Sequence, residues 1–72
     1  MKVLQFDNFS VYIYADHAPP HCHPRFSDGV DMIVSLPNLK SLTGDGLKLK
    51  KNVKELLIEN IDFLCTKWDE LN

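Results

Sequence analysis

Residue patterning points to an α+β fold: a small antiparallel sheet of three or four strands with one long C-terminal helix packed on one face. Three observations carry this. Phe9 to Ala15, FSVYIYA, alternates apolar and polar residues as a half-buried strand does. Turn residues at Pro19-Pro20, Ser27-Asp28-Gly29 and Pro37-Asn38 cut residues 2–43 into strand-length pieces. From about residue 47 to 71 the period changes, and Val53, Leu57, Ile61, Leu64, Trp68 and Leu71 recur at helical spacing.

Taken in order, Lys2 to Phe6 reads as a further short strand or a lead-in, with a bend at Asp7-Asn8. In the next strand Phe9, Val11, Ile13 and Ala15 point one way, while Ser10, Tyr12, Tyr14 and Asp16 point the other. Pro19 and Pro20 end it, because proline lacks the ladder donor. Alternation resumes with His21, His23 and Arg25 on one parity and Cys22, Pro24 and Phe26 on the other. Pro24 interrupts the ladder, so this strand is expected at an edge or a bulge. Gly29 supplies a positive φ for a hairpin into VDMIVSL, whose inward set is Val30, Met32, Val34 and Leu36. LKSLTGD is read as a last short strand, and Asp45 as the N-cap of the helix.

A chain of 72 residues holds one domain, and at this size folding buries only about 60% of the surface of the unfolded chain. The net charge of −2 gives no molecule-wide basic footprint for nucleic acid. Cys22 and Cys65 do not form the spacing of a secreted disulfide framework and are read as reduced thiols. No stretch has the ~18 apolar residues of a membrane span, and the N-terminus carries no signal-peptide pattern. A soluble cytoplasmic protein working without a cofactor is expected.

The chemistry concentrates in DHAPPHCHPRF, Asp16 to Phe26. If the helix covers the face bearing Val11, Ile13, Cys22, Phe26, Met32 and Val34, parity leaves Tyr12, Tyr14, His21, His23, Arg25 and Asp31 on the other. Aromatic and arginine side chains of this kind are enriched in interfaces, so a partner-binding face is the leading reading. The same set also suits a metal-independent hydrolase, with His21 or His23 as general acid or base and Arg25 stabilising the transition-state charge. A zinc clasp would use His21 and His23 with His17 across the turn, although no carboxylate or thiolate shows clear ligand spacing. The plain structural alternative is a proline-stiffened turn in which His17 or His21 satisfies backbone carbonyls.

Two further features concern partners. Lys48, Lys50, Lys51 and Lys54 crowd the start of the helix, against the macrodipole, and form a basic end suited to an acidic partner or phosphate. Ile58 and Phe63 flank the apolar stripe and suggest a homodimer or a protein partner.

YADHAPPHCHPRF, with the spacing Asn60-x3-Leu64-x3-Trp68, resembles the small prokaryotic family known as domain of unknown function 4160. Asp16, His17, Pro19, Pro20, His21, His23 and Trp68 match its pattern, whereas Cys22, Pro24 and Leu56 stand where the family commonly has an aromatic, a small aliphatic and a tryptophan. The resemblance implies membership of a toxin–antitoxin-like gene pair, without naming a reaction. The combined expectation is a module that binds a small protein partner, or RNA, through Tyr12, Tyr14, His17 and Asp31 together with Lys50, Lys51 and Lys54. The alternative is an endoribonuclease toxin using His21, His23 and Arg25.

Overall fold

In a computed structural model, which describes residues 1–43 and 48–72, the chain forms a four-stranded antiparallel meander followed by two helices. The strands are β1 (Lys2–Gln5), β2 (Phe9–Tyr12), β3 (His21–Phe26) and β4 (Val34–Ser35), ordered β1-β2-β3-β4. The helices are α1 (Lys51–Glu59) and α2 (Ile61–Leu71).

Asp7-Asn8 makes the first turn, closed by the Phe6 amide donating to the Phe9 carbonyl at 2.8 Å. Across β2 and β3, Phe9 faces Phe26, Val11 faces Pro24 and Tyr12 faces His23. The alternation read from the sequence therefore holds on both strands. Ser27 to Gly29 make the next turn, with the Gly29 amide bonded to the Phe26 carbonyl and Gly29 at φ +94°.

Pro24 does not sit on an edge strand, since β3 is interior. Its missing donor instead falls on the β4 side, where the Met32 amide reaches the Pro24 carbonyl but nothing returns. Pairing there shrinks to an Arg25–Asp31 bridge and the two residues of β4, rather than all of VDMIVSL. The expected strand in LKSLTGD is likewise a single bridge between Ser41 and Val34.

One long helix is also corrected. The α-helix begins at Lys51, so Lys48 and Lys50 precede it, and the Asp45 cap lies outside the described residues. It breaks at Asn60, whose side-chain amide donates to the Leu56 carbonyl at 2.8 Å while its backbone amide turns to Leu57. Local side-chain bonding of this kind competes with the helical ladder. The apolar stripe survives the break, with Val53, Leu57, Leu64 and Trp68 all buried.

These helix residues share one core with Phe9, Val11, Ile13, Cys22, Met32, Val34, Leu36 and Leu39. Phe6, Phe9 and Phe26 stack beside it, with centroids 4.8 and 5.2 Å apart. Val30, expected inward, is exposed because it lies in the turn before the β4 register is set, and Ala15 is exposed beyond the end of β2.

Candidate functional site

Strand parity delivers Tyr12, His23 and Arg25 to the face away from the core, as expected. There the rings of Tyr12 and Tyr14 stack at 6.1 Å, and the Arg25 guanidinium lies 5.0 Å above Tyr12. Arg25 Nε also donates to Asp31 Oδ1 at 3.2 Å, and this neighbouring carboxylate holds the guanidinium's pKa above its ordinary value. Tyr12, Tyr14, His23, Pro24, Arg25 and Asp31 line a hollow of only about 110 Å³.

His21 has the same parity yet a different environment. It is 7% exposed, at the start of β3. Its ring lies 5.0 Å from that of Trp68 on one side and 4.9 Å from that of His23 on the other. Its Nδ1 is 2.7 Å from the Pro19 carbonyl, an acceptor only, so Nδ1 carries the proton. Its Nε2 lies 3.2 Å from Asp16 Oδ2.

Asp16 reaches this point because the chain after β2 folds back. The other oxygen of its carboxylate, Oδ1, accepts the His17 amide at 2.8 Å and faces His17 Nδ1 at 2.9 Å. The His17 backbone amide, aided by His21 and His17, holds the Asp16 carboxyl below the usual range, against a smaller opposing effect of burial. The Asp16 amide in turn donates to Asn72 Oδ1, and Asn72 Nδ2 reaches the carbonyls of Tyr14 and Trp68. The end of α2 therefore ties down the loop that carries the carboxylate.

His23 completes the group. Among the described residues its buried Nε2 has no hydrogen-bond partner, and its ring meets Tyr14 edge-on at 5.0 Å. Burial, reinforced by His21, lowers the pKa of His23 below its ordinary value. One ligand atom from each of Asp16, His21 and His23 lies within 4.8 Å of the others.

The aspartate, the paired prolines, the two histidines and the helix tryptophan thus converge on one end of the sheet. A family model described as a domain of unknown function (DUF4160) matches residues 8–69 of the 72. The chain belongs to the DUF4160 family. No curated protein and no solved structure matches it.

Within this DUF4160 domain the structure separates residues that the sequence grouped. His17 is outside the convergent set: its side chain is 93% exposed and contacts only the outer oxygen of Asp16, so the trio of His17, His21 and His23 does not form. Asp16 takes that place. The expectation that no carboxylate has ligand spacing fails because the four-residue proline loop between them, rather than strand periodicity, sets the Asp16–His21 distance. Asn72 was also missed, being 56 residues from Asp16 in the chain, with no local pattern to mark it.

Lys50, Lys51 and Lys54 are exposed, and among the described residues none is bonded to the histidine group. Lys50 borders a larger hollow of about 420 Å³ between the β1–β2 turn and α1, lined also by Phe6, Phe9 and Val53. That hollow holds no histidine or cysteine, so its size does not mark the chemistry. Cys22 and Cys65 are free thiols. Burial pushes Cys22 up to about 12, which leaves it protonated and unreactive. No helix of the described residues is long and apolar enough to cross a membrane.

Proposed function

We propose that this DUF4160 domain is a binding module that contacts a macromolecular partner through the sheet face of Tyr12, Tyr14, Arg25 and Asp31. In this reading it acts in the cytoplasm as the partner-binding component of a toxin–antitoxin-like pair. The observation that carries the proposal is the stacked Tyr12–Tyr14 pair with Arg25 lying over Tyr12, on a face with no deep cleft. Aromatic rings held in place this way offer large contact area at low entropic cost, and Arg and Tyr are favoured hot-spot residues. The net charge of −2 favours a protein partner over RNA, because the chain as a whole carries no excess of positive charge to neutralise phosphates.

The endoribonuclease reading has less support on this face. Acid–base catalysis needs a ring nitrogen within reach of substrate. Both nitrogens of His21 are occupied by Pro19 and Asp16, the Nε2 of His23 is buried, and Arg25 is engaged by Asp31. A homodimer through Ile58 and Phe63, both exposed on the helices, is a separate part of the proposal.

Isolation of the chain from its native source with any co-purifying small protein, followed by size-exclusion chromatography, tests the main reading. The wild-type chain is expected to co-elute with that partner, and Tyr14→Ala combined with Arg25→Ala to elute alone while keeping its circular dichroism spectrum. Co-elution unchanged by the double substitution would remove this face as the interface. Sedimentation of the chain alone tests the dimer, which a monomer at high concentration would eliminate.

A further inference from the structure

We infer that Asp16, His21 and His23 form a binding site for one divalent transition-metal ion of the zinc class. This goes beyond the proposed interface and does not rest on it, since the three donors cluster at the end of the sheet where His21 meets Trp68.

The warrant is an unsatisfied set of lone pairs. With Nδ1–H of His21 given to the Pro19 carbonyl, Nε2 is the ring's remaining nitrogen, and it faces Asp16 Oδ2 3.2 Å away. Either a proton or a metal ion at Nε2 reconciles that nitrogen with the carboxylate oxygen. A proton would satisfy this pair and still leave the buried Nε2 of His23 without a partner. A divalent ion accepts electron pairs from all three residues.

The surroundings have the form that metal-binding histidines need. A backbone carbonyl on the far nitrogen of His21 sets its tautomer and orients the ring, the usual arrangement for an imidazole ligand. The His17 amide holds the outer oxygen of Asp16 and leaves the inner one aimed at His21. A tetrahedral ion with bonds of about 2.0–2.1 Å keeps its ligand atoms about 3.3 Å apart. The His21–Asp16 separation of 3.2 Å already matches this edge. The whole trio spans up to 4.8 Å, so His23 draws inward on binding. Three protein ligands leave the fourth position to water or to a group of the partner.

The test uses the full chain without an affinity tag, stripped with chelator, desalted and titrated with zinc chloride by calorimetry. One equivalent is expected to bind with a Kd at or below about 10 µM. Asp16→Asn and His23→Gln should each weaken binding by at least about ten-fold, while His17→Gln leaves it unchanged. His21 is buried and its substitution endangers the fold, so its part is read by nitrogen-detected NMR of the imidazoles in the wild type. Zinc should shift Nε2 of His21 and His23 while Nδ1 of His21 stays protonated. The site is overturned by failure to saturate at one equivalent, by either ligand variant binding like wild type, by loss of binding in His17→Gln, or by a His21 ring doubly protonated and unmoved by zinc.

Discussion

The His21 imidazole lies 5.0 Å, centroid to centroid, from the Trp68 indole, although strand parity places His21 on the face away from the core. The two meet because His21 begins β3 at the end of the sheet where the last turns of α2 arrive. Trp68 is thus both part of the apolar core and a cover over His21.

Truncating the indole should therefore act on both. Trp68→Ala is expected to cost about 3–5 kcal/mol of stability, a large fraction of what so small a domain has. Urea unfolding measures the loss. In the same variant, or in milder Trp68→Phe if the alanine form is unfolded, the His21 ring protons should shift as the indole ring current changes.

The thiols should differ in reactivity. Cys22 is fully buried with its pKa pushed up to about 12, so iodoacetamide applied to the native protein should leave it unmodified. Cys65 is only partly buried, although burial, followed by Asp69 and Asp62, raises its pKa too. Intact-mass spectrometry should show at most one slow adduct, with a second appearing only after denaturant is added.

Acidification should destabilise the metal-free fold through His23. Its folded pKa lies below the ordinary 6.5, so the unfolded state takes up a proton first as pH falls. The associated stability is present above pH 6.5 and declines as pH falls from there toward the lower folded pKa. Comparison of urea midpoints for the wild type and His23→Gln, in chelator, should show a shallower decline in the variant over that interval. Asp16 acts in the same direction at lower pH: its contribution is present above its ordinary 3.8 and is lost as pH falls through its lowered value.

The Arg25–Asp31 pair should matter little for stability. Both side chains are more than half exposed, and exposed pairs contribute about 0–1 kcal/mol. Asp31→Asn should change the urea midpoint only slightly. If the face binds a partner as proposed, the same substitution should weaken that binding while leaving the fold intact, which a titration against the co-purified partner would detect.

Gly29 closes its turn at φ +94°, with nothing within 4 Å of where a Cβ would stand. Gly29→Ala is thus expected to cost about 1 kcal/mol through backbone strain alone, readable as a lowered urea midpoint without a change in fold.

Local rules went far in this chain. Two-residue alternation is a property of the extended backbone, so the separation of Tyr12, His23 and Arg25 from Val11, Cys22 and Phe26 could be read directly, and the tertiary structure keeps it. The stripe of Val53, Leu57, Leu64 and Trp68 was equally readable, because helical period is also local. Its interruption was not, since it depends on the Asn60 side chain choosing the Leu56 carbonyl over solvent. The pairing of Asp16 with His21, five residues apart, follows neither of these periods. It needs a proline loop folded back on its own strand and an anchor from Asn72 at the far end of α2, and no periodicity connects residues that distant in sequence. Covalent geometry decided which way each strand residue faces; only packing between separated segments decided which of them share one pocket of space.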